Sequence, residues 1–451
     1  MGGEPAGPAP TAAAGAPPLQ SLSRELKYAS GLAGWVLPNG LRLVAEPMPA
    51  VRSVAVGVWI LAGSRHERPA EHGISHFVEH LMFKGTHKRT AREIAEVMDQ
   101  VGGQLNAFTT KEYTCYHARV LDDHLPLAIE VLADMLRGSM YRAEDIEREK
   151  GVVVEEIGMY EDTPDELVHD MFAQAVWQTH PLGRSVLGVP GTVCAFDRPA
   201  IVDYLATAYT PPQAVIAVAG SCAPPAVLAL CEEAFGDWRG DGSAVGQERP
   251  EVGVNTLLRP KDTELVHVVA GGTGLPLGDP ATYGLNIMSN ILGGGPSSRL
   301  FQGVREERGL AYSVFSYTAA YQDSGVFAIY CGAGPERIAA ALEVIGDELR
   351  QLAAAGVTAA ELSRAKEQLK SNITMALEST SARMNRIGRS QLLLGKVVSI
   401  DTILARIEAV TVEDVQALAG AFCHPDRLSL AAIGPRLDQL GLRSALAQGI
   451  K

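Results

Sequence analysis

The stretch His76-Phe77-Val78-Glu79-His80 places two imidazoles and a carboxylate within five residues. In a helix, His76 and His80 lie one turn apart on the same face, and two neutral imidazole nitrogens at that spacing can bind one zinc ion. Glu79 lies beside the second histidine, where a carboxylate can accept a proton from water instead of binding the metal. The order His-x-x-Glu-His is the inverted form of the commoner zinc-protease motif, and it predicts a metallopeptidase.

A pattern of five residues can also occur by chance, and His72 offers a competing ligand four residues before His76. Gly73 separates His72 from the motif, so we expect His72 to precede the helix. In the pair His72 and His76, moreover, Ser75 stands where the carboxylate would be needed. A third ligand further along the chain would favour the zinc site.

The segment 147–156 is rich in acidic and apolar residues and predicts a long helix. Glu149 and Glu156 are seven residues apart, nearly two turns, so they share a face, whereas Glu155 points roughly a third of a turn away. Two carboxylates among valines are costly to bury unless a cation meets them, and zinc would serve. The alternative is a solvated acidic face that pairs with the neighbouring basic residues.

The chain resembles the pitrilysin-type zinc peptidases, especially the two-domain branch around the mitochondrial processing peptidase β subunit and its bacterial relatives. The resemblance extends from about Trp35 to about Pro435. Its blocks occur in one order: GISHFVEHLMFKGT (73–86), LNAFT (105–109), the helix with Glu155-Glu156, GGGPSSRLF (293–301) and VREERGLAYS (304–313). It implies that Glu156 is the third zinc ligand and that Glu149 is a supporting acid of the catalytic site, the pair that the helical face also selects.

The same resemblance implies residues that contact the substrate. Arg305 and Tyr312 match residues that reach across to the scissile bond, where they can donate hydrogen bonds to the peptide carbonyl and its oxyanion. Without the resemblance, Arg305 would suit a surface ion pair and Tyr312 the core at a strand edge. Asn106, Ala107 and Phe108 match an edge strand to which an extended substrate adds as a further strand.

Three more positions are expected to affect specificity. Phe83 matches a residue that lines the pocket for the residue after the cut, although an aromatic core residue at a helix end is an equal alternative. Glu166 and Asp170 lie four apart on one helix face and match acids that hold an arginine before the cleavage site. Glu166 also lies three residues after Thr163, the capping-box position.

Length and composition indicate an ordinary globular protein. At 451 residues, with 47% hydrophobic and 20% charged residues, the chain should form two or more domains. The net charge of −13 argues against nucleic acid and favours positively charged peptides. No apolar run approaches the roughly 20 residues of a membrane helix, so we expect no membrane partner. The six cysteines show no C-x-x-C spacing, which favours reduced thiols and a cytoplasmic, bacterial protein.

Two halves of the chain share a pattern. Ala214–Gly220 and Leu428–Gly434 are apolar strands that each follow a predicted helix, and Gly434 lies 214 residues after Gly220. The second half has no His-x-x-Glu-His at 290–294, so we expect one zinc ion per chain. We predict an α/β (α+β) fold of two homologous mixed domains, each an antiparallel-rich sheet with helices, which face each other like a clam shell.

The expected domains follow from these patterns. They are a flexible Ala/Pro/Gly extension (1–25), a catalytic zinc-binding domain (26–238), a linker (239–256) and a homologous non-catalytic domain that closes the substrate chamber (257–445). Within the first domain, Asn39-Gly40 predicts a β-hairpin, and Thr90 with Glu93 predicts a capping box.

The sequence thus predicts a zinc metalloendopeptidase that hydrolyses peptides or unfolded presequence-like segments near basic residues. Glu79 would assist the attack of water on the peptide bond. The alternative is a non-catalytic or partner-dependent subunit of a processing peptidase complex, but such subunits usually lose part of the zinc motif, which is intact here. A homodimer and a heterodimer with a related subunit are both compatible with the sequence.

Overall fold

The computed structural model describes residues 23–28, 31–242, 248–424 and 428–450. Most of the predicted N-terminal extension and residues 243–247 of the predicted linker therefore lie outside the described residues. The first half of the chain is taken here as 23–242 and the second half as 248–450.

The first half contains seven strands and eight helices within its described residues. The strands are β1 (Arg24–Glu25), β2 (Ala33–Val36), β3 (Arg42–Pro47), β4 (Ser53–Ile60), β5 (Gln104–Thr109), β6 (Thr114–Leu121) and β7 (Ala214–Gly220). The helices are α1 (Ile74–Leu81), α2 (Ala91–Asp99), α3 (Leu125–Gly138), α4 (Ala143–Glu161), α5 (Pro164–Trp177), α6 (Pro190–Val193), α7 (Arg198–Ala208) and α8 (Pro224–Phe235).

The second half contains five strands and seven helices among the residues described. The strands are β8 (Thr256–Pro260), β9 (Val266–Thr273), β10 (Ser313–Ala320), β11 (Gly325–Ala333) and β12 (Ser429–Gly434). The helices are α9 (Thr282–Gly293), α10 (Ile338–Ala355), α11 (Ala359–Ala376), α12 (Thr380–Leu394), α13 (Ile400–Ala409), α14 (Val412–Phe422) and α15 (Leu442–Ile450), with a π-helical turn at Phe301–Glu306. The predicted linker thus ends one residue into β8.

The two sheets repeat one topology. The first has the order β1-β2-β3-β7-β4-β6-β5, and the second has the order β10-β11-β9-β12-β8. Five strands of the first sheet, β3-β7-β4-β6-β5, therefore match β8-β12-β9-β11-β10 of the second. In both sheets the first two of these strands are parallel and the remaining neighbours are antiparallel. The predicted class, two homologous mixed α/β domains, is confirmed, and β7 and β12 occupy equivalent positions.

Local signals in the sequence explain several of these elements. The β2–β3 hairpin turns at Asn39-Gly40, as predicted, and Gly40 has φ +89°, a conformation that favours glycine. Thr90 and Glu93 form the predicted capping box at the start of α2. β4 lies between β7 and β6 and is buried along almost its whole length, because helices cover both faces of the sheet at this strand.

Each sheet is covered on one face by helices of its own half and on the other by a helix of the opposite half. α5, from the first half, packs on the second sheet, and α12, from the second half, packs on the first. The contacts of α5 join Phe172, Val176 and Trp177 to Val269, Ala328 and Ile433. Those of α12 join Met384 and Ile387 to Val44, Trp59 and Ala217.

The α12 contact leaves no room for a side chain at Gly388. A Cβ atom built there would lie 2.3 Å from Nε1 of Trp59, so the helix backbone rests directly on the indole. The two halves therefore face each other, and α5 and α12, each packed on the sheet of the opposite half, form much of the contact between them. A cavity of about 470 Å³ remains between the halves, and Thr110, Tyr113, Asn286 and Arg389 contribute to its lining.

A buried ion cluster also joins the halves. Nη1 of Arg65 lies 2.7 Å from Oε1 of Glu112, and Nη2 lies 2.5 Å from Oδ2 of Asp323 in the second half. Glu112 in turn accepts the backbone N–H of Gln322 at 3.0 Å. The Arg65 and Glu112 side chains are 1% and 2% exposed, so each charge depends on its partner for stabilisation.

Candidate metal centre

α1 presents both motif histidines on one side and packs its other side into the core. The helix begins after Gly73, which has φ +95° and provides no side-chain cap. The His76 and His80 ring centroids lie 4.7 Å apart. The opposite face is anchored in the core of the first half by Phe77, Val78 and Leu81, each at most 1% exposed.

α4 brings the third candidate ligand to these imidazoles. Oε1 of Glu156 lies 3.7 Å from Nε2 of His76, and Oε2 lies 3.4 Å from Nε2 of His80. One ligand atom from each residue lies within 4.8 Å of the other two. Glu155 is exposed instead, so of the two neighbouring glutamates only Glu156 lies with the two histidines.

These distances suit a zinc ion. With bonds of about 2.0–2.1 Å, adjacent nitrogen and oxygen ligands of tetrahedral zinc lie about 3.4 Å apart. The 3.4 Å and 3.7 Å separations are close to that value. Two imidazoles and one carboxylate also form a donor set of the kind used by catalytic zinc sites, which leaves one position open.

The charges of the three groups fit the same interpretation. Burial, with a smaller effect of His80, lowers the pKa of His76 to about 4, so its imidazole is neutral at pH 7. Burial also lowers the pKa of His80, but hydrogen bonds to Glu156 and Glu149 outweigh that effect and raise it. The hydrogen bond with His80 lowers the pKa of Glu156. The carboxylates of Glu156 and Glu149 thus stabilise positive charge at His80, while His76 is held neutral.

Glu79 lies beside this cluster but is not one of its three members. Its Oε2 atom accepts a 2.5 Å hydrogen bond from the Thr109 hydroxyl at the end of β5. Burial raises the pKa of Glu79, while the hydrogen bond from Thr109 and the charge of His80 act in the opposite direction. A carboxylate with a raised pKa is suited to accept and release a proton.

Glu149 fixes the outer nitrogen of His80. Its side chain is 2% exposed, and Oε2 lies 3.3 Å from Nδ1 of His80 while Oε1 lies 2.7 Å from Nζ of Lys84. Such a partner holds the ring of a metal-binding histidine in place. Neither Lys84 nor Thr109 was predicted from the sequence to have a role in the site. Lys84 follows His80 by four residues, a spacing that could have suggested it.

β5 is an edge strand and pairs only with β6 among the described strands. The β5–β6 turn closes with the N–H of Thr110 bonded to the carbonyl of Tyr113. Antiparallel pairs alternate between bonded and non-bonded, so the backbone N–H and C=O of Ala107 point to the open edge. Oδ1 of Asn106 accepts the Ala107 N–H at 2.8 Å, and Phe108 packs edge-on against Trp59.

The acidic pair on α5 is only partly free. Asp170 lies 3.3 Å from Nζ of Lys111, whereas Glu166 is exposed and forms no ion pair within the described residues. The capping-box alternative for Glu166 is wrong, because Thr163 makes no side-chain cap and instead donates its hydroxyl to the carbonyl of Met159.

Arg305 and Tyr312 are not brought together with the metal cluster. The Arg305 guanidinium lies over the ring of Phe301 at 4.9 Å, and Tyr312 is 76% exposed just before β10. The far end of β10 leads into the turn whose Gln322 contacts the β5–β6 turn. An eight-residue strand spans roughly 27 Å, so Tyr312 lies at the end of β10 that is remote from Thr109 and Glu79.

His72 and Phe83, two further positions singled out from the sequence, have defined contacts outside the metal cluster. His72 precedes α1, as expected, and its Nε2 atom lies 2.9 Å from the carbonyl oxygen of Ser185. His72 therefore does not belong to the cluster of His76, His80 and Glu156. Phe83 is partly buried and packs against the core of the first half, which agrees with its alternative as a core aromatic at a helix end.

A duplicated α/β fold in which two histidines and a glutamate converge beside a further carboxylate outside their cluster defines a metallopeptidase. Residues 42–189 match the family described as Insulinase (Peptidase family M16), and residues 195–369 match the Peptidase M16 inactive domain. The chain belongs to peptidase family M16, and it is a zinc-dependent peptidase. The inactive-domain match begins in the first half and extends into the second, over residues that contain no His-x-x-Glu-His.

Bacterial relatives cover nearly the whole chain. The chain is 46% identical to Uncharacterized zinc protease YmxG of Bacillus subtilis. The alignment of 397 residues covers 88% of this chain and 97% of the relative. The chain is 44% identical to an uncharacterized zinc protease of Streptomyces coelicolor, and this alignment of 415 residues covers 90% of each chain.

Solved structures share the fold. A protease from Helicobacter pylori superposes with a TM-score of 0.85 at 24% identity, over 92% of this chain and all of that one. The peptidase M16 inactive domain from Pseudomonas fluorescens gives a TM-score of 0.84 at 20% identity, over 90% and 98%. Within the described part of the chain, every helix is too short or too polar to cross a bilayer.

Proposed function

We propose that this chain is a zinc endopeptidase in which His76, His80 and Glu156 bind the ion and Glu79 acts as the general base. One observation carries the proposal. The three ligand atoms lie within 4.8 Å of one another, while Glu79 is held beside them by a different partner, Thr109. Metal binding and proton transfer are thus given to separate groups.

The chemistry follows from that separation. A zinc ion held there supplies Lewis acidity and lowers the pKa of water toward neutrality. Glu79 accepts a proton from the attacking water at Oε1, because Oε2 is already bonded to the Thr109 hydroxyl. Glu79 then transfers this proton to the leaving amine as the peptide bond breaks.

Glu149 contributes by orienting His80. The carboxylate bridges Nδ1 of His80 and the ammonium of Lys84, so the imidazole keeps Nε2 directed at the metal position. Lys84 balances the charge of Glu149, which would otherwise be buried with only a histidine partner.

The substrate is an extended peptide that adds to the open edge of β5. Ala107 offers a backbone N–H and C=O at this edge, and the Asn106 side chain must leave the Ala107 N–H when a substrate binds. Backbone pairing selects an unfolded segment but reads few side chains. Phe83, next to α1, is a candidate wall for the residue after the cut.

A basic side chain before the cut would be recognised by Glu166 and Asp170. Glu166 has an exposed carboxylate and Asp170 is shared with Lys111, so an incoming guanidinium would gain one free partner and compete for the other. This preference is tested by comparing cleavage of peptides that carry Arg or Gln at that position. Glu166→Gln should reduce the ratio of the two rates, whereas Glu144→Gln, on the exposed first turn of α4, should not.

The position of Arg305 and Tyr312 favours a second candidate, a peptidase that needs a partner chain. Both are exposed, and Arg305 contacts Phe301 rather than the cluster of its own chain. We infer that they approach a substrate held by another subunit, in a homodimer or a heterodimer. In this proposal the domain at residues 26–238 carries the catalytic site, and the domain at residues 257–445 is non-catalytic. The free cysteines and bacterial relatives support a cytoplasmic location.

The experiment assays the purified chain on a quenched basic peptide with a chelator, without it, and after zinc is restored. We expect cleavage that the chelator abolishes and zinc recovers. Glu79→Gln should keep stoichiometric zinc and lose about 10²–10⁴ in rate. Zinc binding without cleavage, followed by cleavage once a related subunit is added, would favour the partner-dependent candidate. Failure to bind zinc would refute the site.

A further inference from the structure

We propose that Glu67, which lies outside the motif, is a positioning residue that holds the first turn of α1 so that His76 meets Glu156 at zinc-binding distance. The inference rests on the proposed zinc site. Glu67 touches neither histidine and acts through the backbone of the helix that carries them.

The contacts of Glu67 are directed at the start of this helix. Oε2 accepts the backbone N–H of Gly73 at 2.8 Å, and Oε1 accepts the backbone N–H of Ser75 at 2.9 Å. The first N–H groups of a helix have no partner within it, and Gly73 provides no side-chain cap. A carboxylate from six residues before Gly73 therefore does what a capping side chain does elsewhere, with a charge that favours this helix end.

The first turn of α1 is closely packed by its surroundings. Glu67 is 3% exposed, and its own carbonyl accepts a hydrogen bond from Arg184 at 3.2 Å. A Cβ atom on Gly73 would lie 2.7 Å from the Cα of Gly188, so the backbones are in direct contact there. The Ser75 hydroxyl lies 2.8 Å from the hydroxyl of Tyr204.

His76 follows Ser75 directly, so a shift of this turn is a shift of the ligand. Metal sites require their distances to be correct within about 0.2 Å, whereas a loosened helix end moves by more than that. The C-terminal part of α1 is held independently through Glu149 and His80. Loss of Glu67 should therefore disturb one ligand of the set more than the other, and weaken zinc binding without abolishing it.

The test compares Glu67→Gln with Glu361→Gln. Glu361 also accepts a backbone N–H at a helix start, that of Thr358 before α11 in the second half, and it is held by Arg299. Zinc affinity is measured by competition with a chromophoric chelator, and the melting temperature is measured without zinc. Burial raises the pKa of Glu67 to about 7, so both assays are run at pH 8.

We expect both variants to melt at lower temperature than the wild type. Only Glu67→Gln should bind zinc more weakly, by about tenfold or more, the range seen for partners that orient metal ligands. Its kcat should fall with little change in KM, because peptide pairing on β5 is untouched. Glu67→Asp keeps the charge but shortens the reach, and it should also bind zinc more weakly.

Equal zinc affinity of the wild type and Glu67→Gln, together with a lower melting temperature, would reduce Glu67 to a structural cap and overturn the inference. If Glu67→Gln does not fold, Glu67→Asp decides by the same measurement. A wild-type chain that binds no zinc would instead refute the proposed function, so the two failures are distinguishable.

Discussion

The hydroxyl of Thr109 donates a 2.5 Å hydrogen bond to Oε2 of Glu79. This bond joins the last residue of the edge strand β5 to the proposed base on α1. A peptide that adds to β5 would therefore lie against the strand whose end also holds the carboxylate that transfers a proton to the leaving amine of that peptide.

Replacing Thr109 by Val should shift the acidic limb of the kcat/KM profile to higher pH. The Thr109 bond favours the ionised form of Glu79 and lowers its pKa, so its loss raises that pKa and leaves less carboxylate at a given pH. A hydrogen bond to a charged group contributes about 1.5–3 kcal/mol, so the rate on the acidic limb, where it is proportional to the fraction of carboxylate, should fall by at least about tenfold. The profile is measured from pH 5 to 9.

Thr109→Ser is the control for that profile, since it keeps the hydroxyl. An acidic limb that is unchanged in Thr109→Val would show that Thr109 does not affect the ionisation of the base.

Glu156→Gln should weaken zinc binding by at least about 100-fold, more than is typical for partners outside the ligand shell. The neutral amide cannot supply the anionic ligand that the two imidazoles face. Glu155→Gln provides a matched control, because Glu155 is the next residue on α4 but is exposed. Chelator competition measures both. Equal losses in the two variants would exclude Glu156 as the ligand.

Ala107→Pro should lower kcat/KM by roughly 3–10-fold, the effect of one lost hydrogen bond of about 0.5–1.5 kcal/mol. Proline lacks the N–H that Ala107 directs to the open edge, and edge strands tolerate proline. Steady-state kinetics with an unfolded peptide measure the change, with Ala107→Ser as a control that keeps the N–H. Wild-type kinetics in Ala107→Pro would argue against strand addition.

Arg65→Met should lower the free energy of unfolding by about 3–5 kcal/mol, because it leaves the buried carboxylate of Glu112 without its cation. Arg68→Met removes an ion pair three residues away, but the Arg68 side chain is 71% exposed, and such pairs contribute at most about 1 kcal/mol. Chemical denaturation of the two zinc-free variants compares them. Similar losses would mean that the cluster between the halves adds little stability.

Local patterns in the sequence carried much of the fold. The spacing of His76 and His80 predicted α1, and Asn39-Gly40 predicted the first hairpin. The seven-residue spacing of Glu149 and Glu156 predicted that both lie on one face of α4. Each of these depends on residues within two helical turns or one loop. The equivalent strand ends at Gly220 and Gly434 likewise indicated the duplication.

Contacts between distant segments were not predictable in this way. An apolar helix face shows that something covers it but not which sheet does, so the exchange of α5 and α12 has no local signal. Glu67 reaches the start of α1 through the folded backbone and belongs to no periodic pattern. The resemblance suggested roles for Arg305 and Tyr312 but not the chain on which they would act.

The exchange of α5 and α12 has a consequence for how the molecule could be divided. Cleavage within the predicted linker (239–256) would leave the two halves associated, since each half keeps a helix packed on the sheet of the other. Expressing either half alone would instead expose one whole face of its sheet. It would also leave one helix without its partner sheet, so that Trp177 or Met384 would be uncovered. Separation of the halves in the intact chain would expose the same apolar surfaces to water, which opposes opening at this contact.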